Sequence, residues 1–400
     1  MKSNILKDKT ILLYFIGKFL IGLRFFVPIW IIFGKQFLDL SGLGLLEAIT
    51  YLITIFIDTP SGALADQIGR KKVIIIGLSL LGIGHVLTGF STEIWHYAMF
   101  GIIANIGASF VSGADSALIY DHLLEQKSQH LFVKIQSYAA FSFRIGIIIA
   151  TFLGGMLYNQ AVFLPFVLMG IMELLSIICW IFIKEPRIDT EKFTFKGYFQ
   201  QIKTGVNQVV TSNYLISLTT YYVLIGSITF VCFYFFNYSY ALDLGLGVDQ
   251  QSLLFGVTGI TKAIAVFLIG YFYAKFTRKR VFIGFTVAMV VFYLPAAFVG
   301  KVLAIIIITV IDTLGAIRIA LLDKFINDEI SAKNRATTLS FIEMLINIVY
   351  LLLVWQGTRL ADTNGTNTLY TIFGIISLLI ILPLAIYLVR RNPQELSVSH

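Results

Sequence analysis

The chain has 400 residues, of which 58% are hydrophobic and only 13% charged, with 35 phenylalanines, a mean hydropathy of +0.85 and a formal net charge of +8. No aqueous core of this length hides so much apolar side chain, so the composition excludes a soluble globular protein and points to an all-α polytopic membrane protein with lipid as its solvent. The two cysteines, Cys179 and Cys232, fall inside apolar runs, which leaves no disulfide framework and no metal-ligand spacing.

In hydrocarbon every backbone N–H and C=O must be paired within its own segment, so each apolar run able to cross about 30 Å reads as a helix. Breaks at polar residues, Gly and Asn give about twelve such spans. They cover 10–33, 41–61, 73–91, 96–120, 135–158, 161–183, 213–238, 250–273, 281–299, 302–322, 336–358 and 368–389. The first is a retained helix rather than a cleavable signal peptide, because Lys18 and Arg24 interrupt it and no small-residue cleavage site follows. An even number of spans puts both termini on one side. Basic residues gather at alternate connections, among them Arg70-Lys71-Lys72, Lys127, Lys134, Lys275 to Arg280, and Arg390-Arg391, and this bias makes that side cytoplasmic. The same bias accounts for the net charge, so no nucleic-acid surface is implied.

The longest polar connection divides six spans from six: an N-terminal bundle over 1–184, a cytoplasmic linker over 185–212, and a C-terminal bundle over 213–400. The two halves echo one another. GALADQIGRKKV at 62–73 matches GYFYAKFTRKRV at 270–281, offset by 208, and GADSALIYD at 113–121 matches GAIRIALLD at 315–323, offset by 202. Together they support a duplicated six-helix unit, as in transporters built from parallel repeats.

The stretch Gly62-A-L-A-Asp66-Q-I-Gly69-Arg70-Lys71-Lys72 resembles the short loop between the second and third helices of major facilitator superfamily transporters, G-x-x-x-D-x-x-G-R-[RK]-[RK]. The resemblance covers essentially the whole chain and implies two pseudo-symmetric six-helix bundles. Gly62 and Gly69 permit close approach and tight turning at the membrane surface. Asp66 suits the N-terminus of a helix starting on the cytoplasmic side, which the resemblance identifies with span eleven, near RATTLS at 335. Arg70 needs an acid at its own depth; Asp121 is the candidate, with Arg278 and Asp323 as its mirror, and the group as a whole would form a conformational latch. The alternative is that Arg70, Lys71 and Lys72 only enforce topology.

Ionisable residues inside spans are costly and therefore functional candidates. Counting 1.5 Å per residue along continuous helices brings Arg24 and Glu47 to a similar height, as an ion pair or as a proton or substrate site. Glu47, Thr50, Tyr51, Thr54 and Asp58 form one polar stripe, and Asn105, Ser109, Ser112, Asp115 and Ser116 another. Arg144, Lys262 and Asp312 also lie near the midplane. In the resembled fold spans 1, 4, 7 and 10 line the central path, which would expose Arg24, Asp115, Asp312 and Arg318 to it; the alternative is interhelical pairing that only fixes packing, as also for Glu343. His85 reads as a packed residue and Glu173 as a neutraliser of Arg144. Tyr221, Tyr222, Tyr234 and Asn237 are candidates for stacking on a ligand, the alternative being an interfacial aromatic belt.

Span five, Gly146-I-I-I-Ala150-Thr151-F-L-Gly154-Gly155, resembles the antiporter pattern G-x-x-x-G-P-x-x-G-G, with Thr151 in the proline's place. The arginine that drug antiporters tend to carry in span four is replaced by the uncharged FGIIANIG. The resemblance is therefore closest to the twelve-helix drug/proton antiporter branch: a proton-coupled exporter of amphipathic or drug-like small molecules, monomeric, in a bacterial plasma membrane, with protons and lipid as its other partners. Arg24, Glu47, Asp115, Arg144 and Asp312 are its coupling or substrate candidates. The alternatives are a proton-linked importer of a sugar or organic anion, and a non-transporting receptor or immunity protein of the same fold. No cofactor is implied, and no nucleophile, base and orienter stand at catalytic spacing.

Overall fold

The computed structural model describes residues 8–185, 203–272, 277–330 and 335–391, omitting the side chains of a few residues inside helices, among them Asp58, Gly62, Asp66, Asp323 and Lys324. Among the described residues there is helix and turn but no strand. In chain order the helices are α1 (Lys9–Gly22), α2 (Trp30–Gly34), α3 (Leu40–Ile68), α4 (Arg70–Gly89), α5 (Ile94–Val111), α6 (Ala114–Glu125), α7 (Phe132–Gln160) and α8 (Leu164–Phe182), then α9 over 203–209. The remainder are α10 (Asn213–Val231), α11 (Asn237–Asp243), α12 (Val248–Phe272), α13 (Arg278–Tyr293), α14 (Lys301–Glu329), α15 (Arg335–Asn364), α16 (Thr366–Ile376) and α17 (Leu382–Arg390). Among the described residues eleven stretches are long and apolar enough to cross a membrane, and side chains such as Phe56, Trp95, Phe141, Phe267 and Phe298 are exposed, the pattern of helices solvated by lipid. The chain is a multi-pass membrane protein.

Two compact units emerge. One comprises residues 1–38, 46–193 and 247–256; the other comprises 39–45, 194–246 and 257–400. The first turns of α3 thus belong to the second unit, where Ser41 N–H and Oγ donate to the Asp362 carboxylate, the N–H at 2.9 Å. The first turns of α12 belong to the first unit, where Asn159 Nδ2 donates to Asp249 Oδ2 at 2.7 Å.

Two spans expected to be continuous are broken. The run 10–33 stops as a helix at Gly22, turns through residues 25–29 and resumes as α2. The reason is steric: Pro28 cannot donate an in-helix N–H, and the turn is held against α7, where a Cβ on Gly146 would lie 2.6 Å from Phe19 O and one on Gly154 would strike Phe25 O and Pro28. Gly146, Ala150 and Gly154 are one glycine-rich face of α7, buried against this turn. The run 96–120 breaks between α5 and α6 at Gly113, whose φ of +76° only glycine adopts without strain.

Helix starts are capped by nearby acceptors. Asp8 accepts from Thr10 N–H, Ser212 from Leu215 N–H, and Thr277 from Arg280 N–H. At α4 the cap position is Gly69, at φ +101°, which has no side chain to offer; instead Glu185 Oε1 accepts the Lys71 N–H at 3.1 Å. Lys71 Nζ in turn donates to Ile181 O at 2.5 Å, filling a carbonyl in the last turn of α8. In sequence Lys71 belongs to the loop motif, with a purely topological role as the alternative, and nothing there singles out Glu185 as its partner.

Candidate functional site

In the first unit the break at Gly113 sets Asp115 in the first turn of α6, where free N–H groups and the helix dipole favour a carboxylate. Its Oδ1 accepts the Ser116 N–H, and its Oδ2 takes a 2.6 Å bond from Lys18 Nζ on α1. Asp115 is 6% exposed, so this is a buried ion pair, not a surface one. Lys18 was not on the list of candidates from sequence. The signal was present, a lysine within an apolar run, but it was read only as an interruption of that run.

Arg24 does not continue α1. Its guanidinium lies 5.3 Å from the Phe143 ring centre, its buried Nε has no hydrogen-bond partner, and among the described residues it makes no ion pair. The height estimate that matched it to Glu47 presumed an unbroken helix, and the turn after Gly22 removes that premise. Glu47 is half-buried on α3. Arg144 on α7 is exposed. Glu173, fully buried on α8, faces α4 and not Arg144: its Oε2 lies 2.7 Å from His85 Nδ1, while its Oε1 has no hydrogen-bond partner.

At the ends of α4 and α6, Arg70 Nη1 donates to Asp121 Oδ2. With Lys71, Ile181 and Glu185 this ties α4, α6 and α8 together inside one unit. Gly62 and the side chains of Asp66 and Asp323 lie outside what the structure describes. In the second unit Arg278 donates to Tyr214 Oη and, at 2.7 Å, to Glu329 Oε1, with the Phe325 ring 5.5 Å away. Glu329 did not figure in the sequence reading.

Also in the second unit, Lys262 Nζ on α12 lies 2.8 Å from Asp312 Oδ2 on α14 and 4.6 Å from the Phe233 ring centre. Asp312 is 3% exposed, and its Oδ1 has no hydrogen-bond partner. Tyr221 is fully buried, its hydroxyl donating to Phe282 O at 3.0 Å. Asn237, also buried, accepts from Tyr370 Oη at 2.5 Å. Tyr234 is exposed beside Phe230 and Phe233. Tyr222 packs its ring against the guanidinium of Arg318, 5.6 Å from ring centre to Cζ. Each unit thus buries a carboxylate against a lysine on a neighbouring helix, at a depth where an unpaired charge is costly. No cluster of metal-ligating side chains occurs among the described residues.

The family model described as Major Facilitator Superfamily matches residues 10–242 and 228–399. Among curated proteins, the chain is 26% identical over 199 residues to "Multidrug resistance protein 2" of Bacillus subtilis (strain 168), an alignment spanning 48% of each chain. It is 25% identical over 276 residues to the "Quinolone resistance protein NorA" of Staphylococcus aureus (strain MRSA252), covering 68% of each. Among solved structures, the nucleoside transporter NupG (D323A mutant) superposes with a TM-score of 0.75 over 96% of this chain and 99% of that one, at 17% identity, a likeness of fold alone.

Proposed function

The chain belongs to the Major Facilitator Superfamily, a transporter rather than an enzyme, and from that premise we propose that it is a secondary transporter exporting amphipathic or drug-like small molecules in exchange for protons. The observation that carries the coupling is the pair of buried acid–base contacts, Lys18–Asp115 at 2.6 Å and Lys262–Asp312 at 2.8 Å. Each carboxylate is buried against a lysine, so a substrate or a conformational change that separates the pair would leave a costly buried charge that a proton can neutralise. Moving one charge through 100 mV is worth about 2.3 kcal/mol, so one or two such acids suffice to couple transport to the membrane potential. The curated relatives named for drug resistance favour export as the direction.

Gly62, Asp66, Gly69, Arg70 and Asp121, with Arg278 and Asp323 as counterparts, serve in this reading as a latch that biases one state of the transport cycle. The Arg70–Asp121 contact and the engagement of Arg278 by Glu329 support it by making each basic residue part of a rigid inner network. In this reading the protein works as a monomer in the plasma membrane, and the distribution of basic residues supports placing both termini in the cytoplasm.

The test is ethidium accumulation in cells. Expression should lower the accumulated dye, a protonophore should restore it, and Asp312→Asn and Asp66→Asn should each abolish the effect at equal membrane abundance. Unchanged accumulation across a chemically broad dye panel would overturn export, and proton-dependent uptake of a single metabolite would replace it with import.

A further inference from the structure

Arg318 is a buried charge without an ion pair among the described residues of the second unit. It sits on α14 with 6% of its surface exposed, and two of its nitrogens, Nε and Nη1, are buried without any hydrogen-bond partner. Around it stand the Tyr222 ring on α10, the bare backbone of Gly226 one turn further, and Ile346 on α15, the last two converging where a Cβ on Gly226 would lie 2.7 Å from Nη1. The acid on its own helix, Asp312, is six residues away, about 240° around the axis, and is held by Lys262. A guanidinium cannot shed its proton to escape burial, unlike a lysine or a carboxylate. A permanently charged group left without a counter-charge in apolar surroundings is a standing cost, and such groups in membrane proteins mark ligand paths.

Comparison of the repeats sharpens the point. At the offset of 202, Arg318 occupies the place of Ser116, next to Asp115; at the offset of 208, Lys18 falls on Gly226. The first unit therefore fills this position with its own lysine–carboxylate pair, whereas the second replaces the lysine by a glycine against whose backbone the arginine packs, and gives that arginine no acid among the described residues. Charge of one sign has been provided without its complement.

We infer that Arg318 is a binding site for an anionic group of the substrate, and that the transported molecules include aromatic carboxylates. Nε and Nη1 lie on either side of Nη2, so a carboxylate approaching along either edge of the guanidinium meets a nitrogen that has no other partner. Tyr222 and Ile346 offer an aromatic face and an aliphatic wall to the body that carries the carboxylate. This deepens the transport reading by naming a substrate class, and it rests on that reading only for the step from binding to movement.

Binding is tested first, on the purified full-length protein in detergent, with benzoate as the probe and benzamide as its neutral isostere at matched ionic strength. Benzoate should raise the thermal midpoint in proportion to the logarithm of its concentration, and benzamide should not. Arg318→Gln should abolish the benzoate shift, and Arg318→Lys, which keeps the charge but loses the fork, should weaken affinity about tenfold. Equal shifts from the two probes, a benzoate shift that survives in Arg318→Gln, or no benzoate shift in the wild type would each overturn the inference, the last without needing any variant to fold. Flux in everted vesicles then separates the two readings. Loss of carboxyfluorescein transport with ethidium transport retained in Arg318→Gln supports the site, while a wild type that binds benzoate yet moves neither dye refutes export and leaves the anion site standing.

Discussion

Removing Lys262 should damage the second unit more than removing its partner does. The pair is close, at 2.8 Å, but the two ends are unequally protected: the Asp312 side chain is 4% exposed and the Lys262 side chain 19%. In Lys262→Met the carboxylate loses its cation at Oδ2 and keeps only the neutral Asn237 side chain as a polar neighbour, and breaking a buried pair from this side costs about 3–5 kcal/mol. In Asp312→Leu the ammonium is left, but it keeps the Phe233 ring at 4.6 Å and a flexible stem able to carry it toward water, which limits the loss to about 1–2 kcal/mol. The double variant Lys262→Met/Asp312→Leu removes both charges and should recover most of the larger loss, because a buried pair replaced by apolar groups is near neutral. The assay is a double-mutant cycle on SDS-induced unfolding in mixed micelles, read by loss of helical signal. A coupling energy below about 0.5 kcal/mol, or equal costs for the two single variants, would refute the picture of a dry, asymmetric pair.

The glycines of α7 and α13 should respond oppositely to alanine. Gly146→Ala places a methyl 2.6 Å from Phe19 O and should cost about 1–3 kcal/mol by overpacking, whereas Gly284→Ala meets nothing within 4 Å and should be neutral or gain up to about 1 kcal/mol from helix propensity; thermal midpoints of the two purified variants decide this. Asp8 supplies a pH dependence of known sign. Burial opposes its ionisation, but hydrogen bonds from His122, Gln126 and the Thr10 N–H outweigh burial and hold the carboxyl below its ordinary 3.8. A folded-state value below the unfolded one stabilises the fold above about pH 4 and is lost as the pH falls below that. Wild type should therefore melt above Asp8→Asn at pH 6, by about 1 kcal/mol for a lost cap, with the gap closing toward pH 3; a gap that widens on acidification would contradict the assignment.

The membrane-spanning helices are legible in the sequence because lipid imposes a single rule on the backbone, and length and hydropathy suffice to apply it. The contact of Arg70 with Asp121 is legible for a similar reason, since each stands at an end of neighbouring spans where a charge is affordable only with company. The pairs within the spans are another matter. A 3.6-residue period and a constant rise carry a residue's height only while the helix is unbroken, and nothing in the apolar run 10–33 announces a turn at 25–29 except Pro28. That turn undoes the height match of Arg24 with Glu47, whereas Lys18 stands on the unbroken α1 and reads in sequence only as an interruption of its run. His85 with Glu173 went unread because α4 and α8 are distant in sequence, and a hairpin argument reaches only adjacent spans; it linked Glu173 to Arg144 on the neighbouring helix instead. Cap exchange is subtler still: position 277 is a threonine that caps α13 with its own hydroxyl, while its repeat partner at 69 is a glycine whose helix borrows Glu185 from far along the chain.

The two breaks in the first unit raise the question of why a duplicated sequence bends in one repeat and not in the other. Gly113 and Gly315 occupy equivalent positions, yet the first is at φ +76° between two helices and the second lies within the continuous α14. Glycine permits a break in both; what differs is the cost of the backbone groups it strands in an apolar medium. After Gly113 come Ala114, Asp115 and Ser116, and these residues meet that cost locally: Asp115 Oδ1 accepts the Ser116 N–H, Ser116 Oγ donates to Gly113 O at 3.0 Å, and Lys18 neutralises the carboxylate. After Gly315 the corresponding residues are Ala316, Ile317 and Arg318. Isoleucine has no acceptor for a stranded N–H, and arginine none for any donor, so the intact α-helix is the cheaper solution. The substitution pair Asp115/Ile317 therefore does two things at once. It decides which repeat bends, and, by leaving the second without a carboxylate beside its arginine, it leaves that repeat with an uncompensated positive charge where the first has a closed pair.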